Sequence, residues 1–351
     1  MYNSVGFKVK FSQVHLEQRP VVIQQQSAIK NNPLASRLVA VVDLGSNSFH
    51  LVIAELSQQQ FHIVARVREA VRLGAGLDAQ NCLTLNAEQR ACDCLQRFHE
   101  RLTALKVTEV YALGTNTLRI AANAPAFLAR AEKILGHPIR VISGIEEAEL
   151  IFQGASYGRV ANEHELIIDI GGGSTEIIIG YQNKPEIMQS LAMGCVSFSV
   201  EFFENKKEDI PTIFSKIQQR VTTIFQPILD HYLQIGWQSV IGCSGTIQAV
   251  ASVGEANGWS KNQEITEQSL EKIMDYLSQY QEQGLSNLAG LRGDRQAIFP
   301  AGVAILKALF YLLQIKTLTL SSGALREGML YRLLQQNTNY LPNLSDPQVN
   351  N

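Results

Sequence analysis

The sequence predicts two related α/β domains, and three observations carry that prediction. VVDLGSNSFHLVI (41–53) and IIDIGGGSTEIII (167–179) align without a gap, 126 positions apart, about one domain length. Each copy is followed by the same succession, a short run of strands and then alternating helices and strands. At 351 residues, 46% hydrophobic and 18% charged, the chain is globular and too long for one average core.

The elements follow in order. Leu38–Val42 is an apolar strand that ends in the turn Asp43 to Ser48 and returns at once as Phe49–Leu56. Phe61–Val67 alternates as a third strand, Asn86–Leu105 has helical periodicity, and Val107–Leu113 is a strand. Gly114-Thr115-Asn116-Thr117 opens a helix carrying Arg119, and strand Ile139–Ile142 leads through Ser143-Gly144 into a helix beginning near Glu146. The second copy starts with strands Leu166–Ile170, Ile177–Tyr181 and Glu186–Leu191. Helix Ile213–Ile235, strand Ser239–Ile241 and the turn 242–246 into a helix come next. Helices Glu267–Tyr280 and Ala297–Leu313, strand Thr317–Leu320 and a closing helix Ala324–Leu334 complete it. The expected partition is an extension 1–36, domain I over 37–150, domain II over 151–323, a closing helix 324–336 packing back on domain I, and a tail 337–351. Both ends are polar, so a mobile extension and a frayed tail are expected there.

A formal net charge of −2 provides no global basic field for nonspecific nucleic-acid binding, so a polyanion would have to be held by local Arg and Lys. Cys82, Cys92, Cys94, Cys195 and Cys243 are odd in number and lack CxxC spacing, which reads as reduced thiols in a cytoplasmic protein. The longest apolar run in residues 1–36, Val21–Ile23, is too short for a signal peptide, and no stable membrane insertion is expected.

The two Asp-x-Gly turns are the chemistry-bearing features. Gly171, Gly172 and Gly173 leave backbone N–H groups unshielded, able to point together at an anion, and Gly45, Ser46, Asn47 and Ser48 with Ser174 extend the same cradle. Asp43 and Asp169 end apolar strands, where a lone carboxylate is costly unless it meets a metal, water or donors. With Glu176 they offer hard oxygens for Mg²⁺; alternatively each Asp caps its own turn. Arg119, just past a strand–helix junction, suits bidentate contact with phosphate, or is a surface helix Arg. Glu146 and Glu147 open a helix, where carboxylates complement the dipole; one of them could also take a proton from attacking water, and spacing does not choose between them. Gly242 to Thr246, including Gly245, reads equally as an anion site at a helix N-terminus or as a tight packing turn. Ser322 to Gly328 reads as a helix start with charge directed at the cleft. Arg66, Arg68 and Arg72, and likewise Arg292 and Arg295, line a polyanion track or decorate a solvated face. His50 reads as a packed histidine.

Taken together, DLGSNSFHLVI, GTNTLR, VISGIEEAEL, IDIGGGSTE, MGCVSF, GCSGTIQA and LSSGALREGML, in this order from Leu38 to Leu334, resemble the exopolyphosphatase / guanosine pentaphosphate phosphohydrolase family. The resemblance implies two actin-like (ribonuclease H-like, ASKHA) domains around an interdomain cleft. It implies a Mg²⁺-dependent hydrolase that removes terminal phosphate from polyphosphate or from guanosine pentaphosphate, with GTNTLR and the triple glycine nearer the exopolyphosphatase branch. It places the general base on Glu147, the second Glu of its SG-x-EEA motif, and carries Arg119, Asp169, Ser174 and the first loop, Asp43 to Ser48, into the site. Longer members add a C-terminal helical domain that extends the polyphosphate channel and helps dimerise. This chain resembles the short two-domain form, which puts long-chain processivity in question and leaves a homodimer open. The rival readings are an actin-like ATPase or sugar kinase, and a non-hydrolytic sensor of alarmone or polyphosphate.

Overall fold

The structure, a computed structural model, describes residues 36–57, 60–159, 162–204, 208–279 and 282–338. The expected N-terminal extension, Ser36 apart, and the expected tail beyond residue 338 lie outside the described residues.

Two mixed sheets organise the chain. The first has the order β3-β2-β1-β4-β5, built from β1 (Arg37–Leu44), β2 (Phe49–Leu56), β3 (Phe61–Glu69), β4 (Glu109–Gly114) and β5 (Ile139–Val141). The second has the order β10-β11-β9-β6-β7-β8, built from β6 (Glu165–Ile170), β7 (Thr175–Tyr181), β8 (Lys184–Leu191), β9 (Ser239–Cys243), β10 (Ile265–Thr266) and β11 (Thr317–Leu320). The second repeats the first, an antiparallel meander of three and then two parallel strands added beside its first member, and carries one more strand, β10, antiparallel at the edge of β11. The central strands β1 and β6 are apolar on both faces because helices or the opposite layer cover both sides.

Helices α1 (Leu85–Ala104), α2 (Asn116–Ile120) and α3 (Ala124–Leu135) pack with the first sheet, where Phe98, Phe127 and Leu95 share a buried cluster with Leu44, Leu51 and Ile53. Helices α5 (Cys195–Phe202), α6 (Ile210–Ile235), α7 (Ser244–Ala256), α8 (Glu267–Gln279) and α9 (Phe299–Leu312) build the second lobe. Helix α9 has apolar residues on all sides, as expected of a helix inside a core. With the turn before it, 293–312, it is also the one described helical segment long and apolar enough to cross a membrane, but 72% of it is buried within the fold. Helices α3 and α5 and strand β10 were not anticipated, although α3 carries local signals: Pro125 in its first turn and Gly136 past its end at φ +77°.

Helices α4 (Gly144–Ser156) and α10 (Leu325–Thr338) form a shared layer between the sheets. Leu150, Ile151, Phe152, Leu330 and Leu333 are buried with Val39, Val41 and Val52 of the first sheet and Ile167, Ile178 and Ile241 of the second. The two helices approach to backbone contact. A Cβ on Gly154 would lie 1.9 Å from the Ala324 carbonyl oxygen, and one on Gly328 would lie 1.8 Å from that of Leu150. The expected border at 150/151 therefore falls inside α4, because this helix serves both lobes.

Candidate active site between the lobes

The two predicted turns meet. A Cβ on Gly172 would stand 2.7 Å from Ser46 Cβ, and one on Gly173 would stand 2.1 Å from Asn116 Oδ1, so bare backbone in the second loop lets the lobes close on each other. Each loop is held from behind by its carbonyls. Gly171 O accepts from Cys195 N (3.0 Å) and Gly172 O from Val196 N (2.8 Å), at the start of α5. Ser46 O accepts from Gly74 N and Asn47 O from Arg72 N, both at 2.8 Å. Peptide planarity then turns the N–H groups of Gly172, Gly173, Asn47 and Ser48 to the opposite side of each loop. MGCVSF, present as a motif but without an assigned role, thus supplies the helix start that orients the glycine loop.

Both loops line a cleft of about 510 Å³ whose wall also includes Asp43, Glu147, Asp169, Gly245 and Arg326. The strand registers give two equivalent rows that start at the cleft with Asp43 and Asp169. In the first lobe Asp43 pairs with His50 and His50 with Arg68; in the second Asp169 pairs with Glu176 and Glu176 with Ser190.

The acidic side is under electrostatic stress. Burial pushes Asp169 up to about 7, with Glu147 and Asp43 adding repulsion. Burial raises Asp43 to about 6, and Arg326 offsets part of this. Glu147 is raised well above the carboxylate range by burial and then by Glu176, against the pull of Arg119. Glu176 is raised by burial and by Asp169, while hydrogen bonds from Ser190 (2.7 Å) and Ser174 hold it down.

The opposite wall is basic. Arg66, Arg68, Arg292, Arg295 and Arg326 line the cleft; burial, and then the charges of Arg326, Arg68, Arg295 and Arg66, hold His50 well below its usual pKa. His50 is therefore neutral, and its Nδ1 accepts a hydrogen bond from Arg326 rather than packing among apolar neighbours. Arg68 donates to Ser48 Oγ (2.9 Å) and to Asp294 Oδ2 (2.6 Å). The solvated-face alternative holds for Arg72, which is exposed and outside the cleft wall.

Three predicted site residues sit differently from expectation. Arg119 does not line the cleft; its guanidinium donates to Glu147 Oε2 (2.7 Å) and to the Ile142 carbonyl (3.0 Å). Glu176 is buried and outside the cleft wall: it shares a sheet face with its cross-strand partner Asp169 but lies one strand further from the cavity, on Ser190. Gly245 lies under Arg295, whose Nη2 is 1.8 Å from the position its Cβ would take; the missing side chain makes room for a guanidinium more than for an anion. Between Glu146 and Glu147 the structure separates roles: Glu146 pairs with Arg140 and Arg332 outside, whereas Glu147 faces the cleft. The five cysteines are free.

Among the described residues, no three His, Cys, Asp or Glu side chains gather as a ready metal cluster. Mg²⁺ does not require one, since it keeps several waters and uses one or two carboxylates with substrate phosphates. Asp43 and Asp169, facing one cavity and both raised chiefly by burial, with Asp43 adding to Asp169, fit that donor set: a hard cation would compensate the buried charge.

Comparison with known proteins agrees with this geometry. The chain is 39% identical over 299 residues to a guanosine-5'-triphosphate,3'-diphosphate pyrophosphatase of Aliivibrio fischeri, a match covering 85% of this chain and 60% of that protein. It is also 39% identical over 306 residues to the protein of that name from Vibrio cholerae, covering 86% and 60%. The chain thus spans about 60% of the length of these curated relatives. Among solved structures it superposes on an exopolyphosphatase from Cytophaga hutchinsonii with TM-score 0.78 and 26% identity, over 86% of this chain and 98% of the other. It shares the fold of an Aquifex aeolicus Ppx/GppA family member at TM-score 0.70 and 23% identity, over 86% and 99%. The two-lobed α/β architecture is the one these solved structures share. With residues 52–337 matching the family as a whole, the chain belongs to the Ppx/GppA phosphatase family.

Proposed function

We propose that this chain hydrolyses terminal phosphoanhydrides, releasing phosphate from the end of inorganic polyphosphate. The observation that carries the reading is the cleft itself: two anion-binding turns in contact, an acidic floor at one side and an arginine wall at the other. Phosphoryl transfer needs charge neutralisation and an oriented nucleophile more than covalent help, and this arrangement supplies both. The terminal phosphate lies against the N–H groups of Asn47, Ser48, Gly172 and Gly173, and the rest of the polyanion runs along Arg66, Arg68 and Arg326.

Glu147 is the general base. Its raised pKa makes it a better proton acceptor near neutrality, and it faces the cleft from the first turn of α4. Water attacks the terminal phosphorus, its proton passes to Glu147, and the anhydride P–O bond breaks with the electron pair leaving on the shortened chain. Arg119 donates to Glu147 Oε2, so an incoming phosphate that draws the guanidinium away both gains a charge-assisted contact and frees the base. Asp43 and Asp169 would hold Mg²⁺, which would supply charge neutralisation at the phosphate oxygens. Glu176 would act from behind, through its effect on Asp169 and Glu147.

A second reading, removal of the 5′ γ-phosphate of guanosine pentaphosphate, is favoured by the relatives at 39% identity that carry that activity in their names. Phosphate release measured side by side on long polyphosphate, tripolyphosphate and guanosine pentaphosphate, with and without Mg²⁺, tests both. Metal-dependent release from polyphosphate is the expected result, and a strong preference for the nucleotide selects the second reading. Tight binding without release from any of the three would leave the sensor reading.

A further inference from the structure

We propose that Asp294 is a specificity-determining residue that straps the cleft: its carboxylate occupies Arg68 across the mouth in place of a phosphate, and a polyanion must displace it to enter. This inference rests on the functional reading above for the class of ligand, though not for catalysis.

Arg68 belongs to β3 of the first lobe, whereas Asp294 lies in the helical turn 293–298 that leads into α9 of the second. The contact between Arg68 Nη1 and Asp294 Oδ2, at 2.6 Å, therefore joins the lobes. Asp294 Oδ1 also accepts from Arg292 Nε at 3.1 Å. One carboxylate thus stands among arginines in the way a phosphate would, each oxygen on a different guanidinium. Burial disfavours its ionisation, but the hydrogen bond from Arg68 and the charges of Arg68, Arg292 and Arg295 outweigh this and hold it ionised below the usual range.

The second observation is on Arg68. Its Nη2 donates to Ser48 Oγ in the first loop, while its Nε is buried without a hydrogen-bond partner. A guanidinium with an unused donor, held between an anion-binding loop and a carboxylate a quarter exposed, has capacity for another acceptor. Exchange of Asp294 for phosphate oxygens would release the lobes from each other at this lip, and Nε on the Ser48 edge of the same guanidinium stays open to a further acceptor. A partly exposed ion pair of this kind weakens, by up to about fivefold, any anion that has to reach Arg68, whereas a single phosphate seated on the loop N–H groups leaves the pair in place. The strap thereby weakens long anions relative to orthophosphate, the product.

The test is equilibrium binding of tripolyphosphate and of orthophosphate to Asp294→Asn and to the parent chain, both carrying Glu147→Gln so that turnover does not intervene. Asp294→Asn should bind tripolyphosphate up to about fivefold tighter and orthophosphate with little change, widening the ratio between them. Asp294→Glu, which keeps the charge, should return the parent ratio, and Glu271→Gln, an exposed carboxylate on α8, should leave it unchanged. Asp294→Ser serves the same comparison should the Asn variant fold poorly. An unchanged or weakened affinity for both anions in the neutral variants overturns the strap and makes Asp294 merely a support for Arg68. Failure of the parent to bind tripolyphosphate at all would instead overturn the functional reading.

Discussion

The first and second hairpins are copies that have diverged in charge. At equivalent register positions one row reads Asp43, His50, Arg68 and the other Asp169, Glu176, Ser190. The first row faces the arginines of β3 and α10, so its carboxylate has Arg326 as a neighbour and is raised only to about 6. The second row places another acid beside its carboxylate and reaches about 7. The loops diverge for a steric reason as well. Where they meet, the first keeps Ser46 and Asn47 and the second is bare at Gly172 and Gly173, since only one of two touching loops can carry side chains. The two turns share one backbone plan, and contact between them leaves room for side chains on only one.

Substitutions in the two rows test that division. Glu147 belongs to the acidic side without a counterpart in the basic row, and it should give the largest effect. Glu147→Gln is expected to lose about 10²–10⁴ in phosphate release while retaining tripolyphosphate binding by calorimetry. Parent-like turnover would remove it from the mechanism. In the parent, the fall in kcat/KM toward low pH should be centred above the ordinary carboxylate range, because the raised pKa of Glu147 leaves the base protonated there.

The next effect is on stability. Asp169 and Asp43 have folded pKa values of about 7 and about 6, above their unfolded values. The folded state binds these protons more tightly, so their contribution is fully present below about pH 4 and is lost as pH rises through 6 to 7. The metal-free chain should therefore lose a few kcal/mol between pH 5 and pH 8, read as a falling urea midpoint. Asp169→Asn should flatten that slope more than Asp43→Asn, and Mg²⁺ should flatten it in the parent. Equal effects of the two substitutions would erase the distinction between the rows.

Gly173→Ala addresses the loop contact, with its Cβ 2.1 Å from Asn116 Oδ1. Overpacking of this kind costs about 1–3 kcal/mol, so a lower melting midpoint and weaker phosphate release are expected, whereas Asn47→Ala at the equivalent place in the first loop should be milder. The smallest effect is on Ser190. Ser190→Ala removes one hydrogen bond to Glu176 and should cost about 1–2 kcal/mol, with Ser190→Thr restoring most of it. A neutral result would show that Glu176 is protonated and indifferent to that donor.

Much of the fold was legible because its signals are local. Apolar runs before Asp43 and Asp169 mark strands, and glycines after them mark turns; both follow from side-chain alternation and backbone freedom within a few residues. Likewise α3 carries its own local marks, Pro125 in the first turn and Gly136 just past the end. The loops, Asp43, Asp169 and Glu147 were nameable from spacing and resemblance. The partners of Arg119 and Arg68 were not: a guanidinium reaches whatever the packed chain brings within a few ångströms, and for Arg68 that is Asp294, 226 positions away.

The sequence by itself determined a duplicated α/β chain with two phosphate-type turns and a family resemblance, since periodicity and turn chemistry act over short spans. Only the tertiary structure decided that the turns touch, that α4 and α10 serve both lobes, that Glu176 and Arg119 sit off the cleft, and that five arginines share one wall. Charge and contact between distant segments depend on how two sheets close on a common helical layer, and no local pattern encodes that closure.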